Sequence, residues 1–357
     1  MLRTLGVETS CDESAVAILD SDGAVEVSLL SSQIEAHARY GGVVPELASR
    51  EHLKALPFLV DRALESTSGP IELVAVTAGP GLVGALLVGV RYAAAFAWAR
   101  RLPLVAVDHL EGHLVSSLLS LEGEPAKQEA HRALALVASG GHSSWYLMES
   151  GARNRLGRTR DDAAGESFDK VAQVLGLGYP GGPAIDDLAR RGDPTTVVLP
   201  QPRLRGSPFD FSFSGLKSAA IRWIRANEMA GVATKTEIAP PEICDFAASF
   251  ESAVIGQLLA PLPELVELHK PTQITASGGV AANSLLRQRL EESAHDLGLE
   301  CLLPPLPWTT DNAAMIAHAG QLAHRDGRTD DPRRLDARGR EPWQPPGMRK
   351  PPIRVSV

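Results

Sequence analysis

Short apolar runs separated by compact polar turns open the chain. Residues 2–8 are apolar, residues 9–13 form a polar turn, and residues 15–19 are apolar again. Asp20-Ser21-Asp22-Gly23 then turns the chain into the apolar run 24–30. Such spacing predicts three strands joined by tight turns. The plan recurs in the middle of the chain. Residues 133–138, 144–148 and 154–158 are strand-like, with Ser139-Gly140-Gly141-His142 and Glu149-Ser150-Gly151 between them. Two echoes this far apart do not make a solenoid; they predict two related lobes with a cleft between them.

Elsewhere the period changes. Leu53, Leu56, Val60 and Leu64 keep helical spacing, with Pro57 expected to kink the helix. Residues 73–78, 104–107 and 273–276 read as buried strands, and 283–297 and 313–323 as helices. Ile243, Phe246, Phe250, Val254 and Leu258 form one apolar stripe suited to core packing, and 209–214 alternates like a strand edge. Residues 82–99 are long and apolar enough for a bilayer span. Arg91 inside the run and Gly79-Pro80-Gly81 before it favour a strand, a glycine loop and a buried helix. These elements predict an α/β chain with lobe I over 1–108, completed by 311–324, and lobe II over 109–310.

Composition narrows the function classes. With 44% hydrophobic and 22% charged residues the chain is not disordered overall, and 5% aromatics leave little for stacked aromatic platforms. A net charge of −8 gives no global positive field for nucleic acid, so any RNA contact is local or supplied by a partner. Residues 325–357 hold nine Lys/Arg against five Asp/Glu and six prolines, a basic tail of +4 on a body of −12. It reads as a surface-draped segment, with a basic arm for RNA as the alternative. Arg153, Arg155, Arg158 and Arg160 form a second basic run. Three scattered cysteines, Cys11, Cys244 and Cys301, fit a reducing compartment, and no signal-like apolar run follows the first residues. A soluble cytoplasmic protein without a membrane partner is expected.

Three patterns carry candidate chemistry. In Asp108-His109-Leu110-Glu111-Gly112-His113 the histidines lie at i and i+4, so a helix would put both imidazoles on one face, able to grip one metal. Leu110 stands where a zincin needs Glu. Asp311, in Thr309-Thr310-Asp311-Asn312, is the candidate third ligand, although Asp or Asn before a helix is also an ordinary N-cap. Two histidines and a carboxylate suit Fe(II) or Zn(II). Glycine turns after strands, Ser139-Gly140-Gly141 and Ser277-Gly278-Gly279, with the Thr9-Ser10 turn, let backbone approach a phosphate and point to a nucleotide in the cleft. Asp169, early in a predicted helix, could accept from ribose hydroxyls, and Gly181-Gly182 would let a flat ligand lie on backbone.

Taken in order, these segments resemble one family, the tRNA N6-adenosine threonylcarbamoyltransferases, over nearly all of residues 1–323. The resemblance rests on Gly6-Val7-Glu8-Thr9-Ser10-Cys11-Asp12-Glu13, on Tyr40-Gly41-Gly42-Val43-Val44-Pro45-Glu46-Leu47-Ala48-Ser49-Arg50, and on the His109/His113 motif. It continues through Ser139-Gly140-Gly141-His142, Gly165-Glu166-Ser167-Phe168-Asp169-Lys170, Tyr179-Pro180-Gly181-Gly182-Pro183, Phe211 to Lys217, Gly278-Gly279-Val280-Ala281-Ala282-Asn283 and Thr310-Asp311-Asn312. It implies a two-lobed fold of the actin, sugar kinase and Hsp70 class. It implies one metal, iron or zinc, on His109, His113 and Asp311, and an adenylate among Val137, Ala138, Ser139, Gly140, Gly141, Asp169, Gly182, Asp186 and Asn283. The implied reaction moves threonylcarbamoyl from threonylcarbamoyl-AMP to the N6 amine of the adenosine 3′ of the anticodon, in tRNAs reading codons that begin with A. The implied partners are tRNA, a TsaB-like paralogous subunit and a TsaE-like ATPase. Glu13 and Asp12, in the turn facing the cleft, are the candidate catalytic residues, Glu13 as proton acceptor or water-orienting group with turn capping as its plainer role. Ser14, Asp108 and Thr309 stand where the family often has Thr, Asn and Cys.

Three rivals remain at this level. A small-molecule kinase of the same fold would not need the His pair. A zinc metallopeptidase would need His-Glu-x-x-His. A nucleotide-gated binding subunit would keep the metal and transfer nothing.

Overall fold

The computed structural model describes residues 2–38, 40–121, 124, 127, 130–149, 151–201, 204, 206–231 and 239–339; Ser150 of the second hairpin and residues 340–357 of the basic tail lie outside them. In chain order the elements are β1 (Thr4–Glu8), β2 (Glu13–Leu19), β3 (Ala24–Ser32), α1 (Ile34–Ala38), α2 (Pro45–Ser66), β4 (Leu73–Gly79), α3 (Val83–Arg100), β5 (Leu104–Asp108), α4 (His109–Val115) and β6 (Ser120–Leu121). There follow β7 (Arg132–Ala138), β8 (Ser143–Glu149), β9 (Ala152–Arg158), α5 (Ala164–Leu175), α6 (Gly181–Ala189), α7 (Ser214–Ala226), α8 (Pro241–Leu259), α9 (Leu262–His269), β10 (Gln273–Ser277), α10 (Ser284–Leu297), β11 (Glu300–Cys301) and α11 (Ala313–Arg325).

The internal echo in the sequence is an echo in topology. The first sheet runs β5-β4-β1-β2-β3-β6 and the second β11-β10-β7-β8-β9. In both, an antiparallel meander (β1β2β3, β7β8β9) is extended on its first strand by two parallel strands (β4β5, β10β11). This doubled order is the two-lobed fold of the actin, sugar kinase and Hsp70 class. The strands at the parallel pairings are covered on both faces: every residue of β1, β4 and β10 is buried, the polar Thr4, Glu8, Thr77, Gln273, Thr275 and Ser277 included. Strand pairing keeps Ser120–Leu121 with β3 in the first sheet, so the change of sheet falls between 121 and 132, where the sequence reading set it at 108.

Four helices place the chemistry. α11 lies across β1, β2 and β4 through Ala313, Ala317 and Gly320, whose small side chains let it approach closely. A Cβ on Gly6 would fall inside van der Waals contact of Ala313 O and 2.9 Å from the Ala317 Cβ. α4 packs on α11 and carries the two histidines. α2 runs unbroken through Pro57, which is exposed and removes one backbone donor from the helix. Its buried face is Ala48, His52, Leu56, Leu59, Val60 and Ala63; Leu53, expected on the apolar stripe, is exposed because the burial phase passes through His52 instead. Among the described residues α3 and the stretch Pro241–His269 are each long and apolar enough to span a membrane; 72% of the latter's most apolar stretch is buried, but only 39% of α3's. α3 packs through Leu86, Val90, Ala93 and Ala97 and leaves Val83, Leu87 and Trp98 exposed.

Two sequence expectations differ from the structure. Residues 209–214 form no strand. Phe211 makes a single bridge to Thr159, and Asp161 captures the rest, accepting from Phe213 N, Ser214 N and the Ser212 and Ser214 hydroxyls. The run Arg153–Arg160 is not one basic face: Arg153 is buried and Arg160 pairs with Asp210. The described part of the tail, 326–339, is a strap over the first lobe. Asp330 bonds Leu104 O and Ala106 N, Arg338 N donates to Ala78 O, and Leu335 enters the core beneath α3.

Candidate metal centre and adenylate pocket

β1 ends in a glutamate that apolar strands would not choose. Glu8 is fully buried, and its carboxylate is held by Ser10 N and Thr77 Oγ1, each at 2.5 Å. Its Oε2 also meets His109 Nδ1 at 3.1 Å, with Ser10 Oγ 3.2 Å from the same nitrogen. An ionised carboxylate can only accept, so His109 Nδ1 carries hydrogen and the opposite ring nitrogen, Nε2, turns toward Asp311 Oδ1 at 3.4 Å. One helical turn on, His113 Nε2 lies 3.1 Å from the same oxygen. The prediction of one helical face for both imidazoles therefore stands, with the ring centroids 4.7 Å apart.

Asp311 and Asn312 divide the two roles that the sequence could not separate. Asn312 is the N-cap of α11, accepting from Met315 N at 2.9 Å, which leaves the Asp311 carboxylate free to face the histidines. Electrostatics follow from the burial. Burial opposes charge on Asp311, yet the two histidines outweigh it and hold the carboxyl well below its usual range. Burial likewise opposes charge on His109, yet Asp311 and Glu8 on either side raise it well above an ordinary imidazole. His113, buried with its Nδ1 unpartnered, is pushed down. The donor set fits a divalent cation. One ligand atom from each of His109, His113 and Asp311 lies within 4.8 Å of the others, and the proton held between His109 Nε2 and Asp311 is the one a cation would displace.

Asp12 and Glu13 border this cluster. Asp12 is buried, and His52 pins the turn, Nε2 donating to Cys11 O at 3.0 Å and Nδ1 accepting from Ser14 Oγ at 2.7 Å. Burial, then the charges of Asp12 and Asp311, push Glu13 up to about 9. Without a cation beside it Glu13 therefore keeps its proton at neutral pH.

The glycine turns meet at the ends of β7 and β10. Gly278 has φ +92°, a conformation only glycine adopts freely, and its backbone abuts Ala138 O. Gly278 N donates to Thr309 O at 2.8 Å, tying this turn to the loop that carries Asp311. A Cβ on Gly140, Gly141, Gly182 or Gly279 would meet nothing within 4 Å, so these four line open space. Around them the contacts close into a ring. Gly165 N donates to Ser139 O, Gly181 N donates to Asp169 Oδ1 at 2.8 Å, and Asp186 Oδ1 accepts from Ser284 Oγ at 2.5 Å and from Asn283 Nδ2 at 3.4 Å. Asp169 sits in the second turn of α5, not at its start, and serves the N-terminus of α6. Val137 and Ala138 supply the buried end of β7.

Sequence reasoning missed three polar groups. Glu8 was visible as an acid closing an apolar strand. Glu251, buried on an apolar stripe, had the same signal. His142 follows the Ser139 turn, and burial, then His109 and His113, push it down to about 4; nothing in its local sequence separates it from an ordinary turn residue.

Residues 25–318 match the model of a family described as tRNA N6-adenosine threonylcarbamoyltransferase, TsaD. The chain belongs to this family. Relatives of that description from Bacillus cereus and Geobacter metallireducens are 46% and 44% identical over 329 and 330 residues, 91% of this chain and 92% and 93% of theirs. The chain is accordingly a transferase that modifies tRNA, and the kinase and peptidase readings are not favoured. Solved structures support the fold alone. Full-length HypF covers 92% of this chain and 56% of its own at a TM-score of 0.56 and 12% identity. HypF from T. kodakarensis covers 90% and 47% at 0.56 and 14%.

Proposed function

We propose that the enzyme transfers threonylcarbamoyl from threonylcarbamoyl-AMP to N6 of the adenosine 3′ of the tRNA anticodon, in tRNAs reading codons that begin with A. The adenylate would lie in the glycine-lined pocket, and one divalent ion on His109, His113 and Asp311. The observation that carries this reading is the adjacency of two unlike half-sites. A His-His-Asp set with both histidines buried, backed by Glu8, is joined through Thr309–Gly278 to a ring of open glycines.

The chemistry asks little covalent work of the protein. The acyl-adenylate is an activated mixed anhydride. The adenosine N6 lone pair forms the new bond to the carbamoyl carbon, the anhydride C–O bond breaks with its electrons leaving on AMP, and N6 gives up a proton. The chain must therefore hold a weakly nucleophilic amine against the carbonyl, a task that can supply roughly 7–11 kcal/mol. Bound at the three ligands, iron or zinc supplies Lewis-acid polarisation of a carbonyl oxygen. Glu8 fixes which nitrogen His109 presents. Glu13 would orient water or receive the N6 proton, its proton affinity set first by burial and then by the charges of Asp12 and Asp311. Asp169 and Asp186 hold the pocket's helices in place, and the backbone of Ser139, Gly140 and Gly141 accepts the nucleotide without side-chain interference.

The −12 body asks for help with a polyanion, which supports a TsaB-like paralogous subunit and a TsaE-like ATPase as working partners. The three free cysteines support a cytoplasmic setting. The test is mass spectrometry of tRNA nucleosides after incubation with partner subunits, tRNA and threonylcarbamoyl-AMP. Modified adenosine from wild type and none from a folded His109→Ala/His113→Ala variant is the expected result. Equal product from both removes the metal, and none from either removes the reaction.

A further inference from the structure

Glu251 is a buried carboxyl that the reaction above does not use. It lies on α8, 4% exposed, on the helix that packs against α6 and α10. Its Oε1 accepts from Asn283 Nδ2 at 2.5 Å. The other end of that amide is also committed: Asn283 Oδ1 caps α10 by accepting from Leu286 N at 2.9 Å. Asp186 collects the remaining donors, with Arg190 Nη2 at 2.8 Å on Oδ2 and Ser284 Oγ and N on Oδ1.

Among the described residues, the cations on the neighbouring helices are engaged elsewhere or exposed. Arg190 of α6 is on Asp186. Arg289 of α10 bonds Ser252 Oγ at 2.9 Å. From α7, Lys217 pairs with Asp162, while Arg222 and Arg225 are exposed. Glu251 and Asp186 thus meet at one amide nitrogen, Asn283 Nδ2, at 2.5 Å and 3.4 Å, with the Arg190 guanidinium on the Asp186 side. A carboxylate so near favours the protonated form of Glu251. Burial pushes Glu251 up to about 8, with the Asn283 hydrogen bond opposing and Asp186 adding to the rise.

We propose that Glu251 is a positioning residue for the adenylate: from α8 it holds the Asn283 amide, which also reaches the Asp186 carboxylate of another segment, and so fixes both toward the pocket. This rests on the reading that Asp186 and Asn283 border the nucleotide. Ionised, Glu251 would repel Asp186 and loosen α6 from α8; shortened, it would leave Asn283 Nδ2 without its acceptor. Glutamine keeps the contact with Asn283, its oxygen accepting from that amide, and carries no charge to repel Asp186 at any pH.

The experiment titrates the full-length chain with AMP by calorimetry at pH 7 and pH 9, for wild type, Glu251→Ala, Glu251→Gln and Asp186→Ala. KM and kcat for threonylcarbamoyl-AMP are measured beside it. Losing a hydrogen bond between charged or strongly polar buried partners weakens AMP about 10–100-fold in Glu251→Ala, with KM raised and kcat at saturation kept. Glu251→Gln binds like wild type at pH 7. Wild type weakens as the pH passes 8, whereas Glu251→Gln does not. If Asp186→Ala loses AMP while both Glu251 variants bind as wild type does at both pH values, the role of Glu251 is overturned and the pocket stands. If Asp186→Ala also binds normally, the pocket reading itself fails. Should Glu251→Ala not fold, the Glu251→Gln profile decides alone: an alkaline loss equal to that of wild type overturns the proposal.

Discussion

Gly6 and Gly320 are the two places where α11 touches the first sheet without a side chain between them, and adding one methyl at each tests how that helix carries the metal site. A Cβ on Gly6 would stand 2.9 Å from the Ala317 Cβ and closer still to Ala313 O; one on Gly320 would press on the Ala75 Cβ. Carbon atoms settle at about 3.5–4.0 Å, so Gly6→Ala must move the helix off the sheet by roughly 0.6–1.1 Å. The obstacles are backbone or Ala atoms, with no rotamer to turn away. Overpacking of this kind costs about 1–3 kcal/mol, or a fall in the melting temperature of the first lobe of about 2–4 °C for each of those kcal/mol. Gly6 and Ala75 are register partners on neighbouring strands, so one retreat of α11 relieves both clashes. The double variant Gly6→Ala/Gly320→Ala is therefore less destabilised than the two singles added together, by about 0.5–3 kcal/mol. The helix begins one residue past the Asp311–Asn312 pair, so the same retreat draws the Asp311 carboxylate from the histidines. A misplacement of about 1 Å costs as much as 100-fold in rate. Calorimetric melts and the tRNA-nucleoside assay read both consequences. Strict additivity, or singles within about 0.5 kcal/mol of wild type, would refute the close packing of α11 on β1.

Further outcomes follow from single side chains. Glu8→Gln loses the charge that orients His109 and lowers metal affinity about 10–100-fold, read by metal analysis after dialysis against a graded chelator; an unchanged affinity would detach Glu8 from the centre. Asn312→Ala costs about 1 kcal/mol of stability through the lost cap, whereas Asp311→Ala keeps the cap and loses metal; paired melts and metal counts separate them, and the reverse pattern would exchange their roles. His318, buried on α11, is pushed down to about 4 by burial, the Arg153 and Arg325 charges adding to the shift. Its folded value thus lies below its unfolded one, so its contribution is full above about 6.5 and is lost as the pH falls toward 4. His318→Gln flattens that part of the stability profile, and an identical acid slope in the variant would count against a neutral buried imidazole.

How much was legible depended on whether the determinant was local. The strand–turn–strand echo at 2–30 and 133–158 carried both sheets, because alternation and turn residues fix a meander without distant help. His109 and His113 were legible because i and i+4 share a helical face wherever the helix packs. Asp311 was ambiguous beside Asn312, since both are good caps and only the tertiary position of α4 decides which one turns to the histidines. Leu53 was placed inside because leucine usually is; the buried phase of α2 instead follows His52, which is needed to hold the turn at Cys11 and Ser14. Residues 209–214 alternated like a strand, but their partner was a carboxylate, Asp161, some fifty positions earlier. No local signal marks residues 326–339 as a strap, because its hydrogen bonds go to Leu104, Ala106 and Ala78.

The same strand order, used twice, is loaded with opposite chemistry at equivalent ends. Where β1, β4 and β5 finish, the first lobe offers Glu8, Asp12, Glu13 and His109, a set of carboxyl and imidazole donors largely held off solvent and suited to a cation. Where β7 and β10 finish, the second lobe offers Ser139-Gly140-Gly141 and Ser277-Gly278-Gly279, with backbone rather than carboxylates at the turns. An anion is repelled by the first set and can be accepted by the second, because open turns present N–H groups; a divalent cation has the reverse preference. A ligand with an adenylate phosphate at one end and a carbonyl needing polarisation at the other can satisfy both only by lying across the two. On the proposed reading, an acyl-adenylate would be oriented by charge before any base-specific contact is made. The Gly278 N–Thr309 O hydrogen bond fixes the spacing between the two ends, so lengthening the 278–311 segment would be felt as a loss of rate at unchanged affinity for each end by itself.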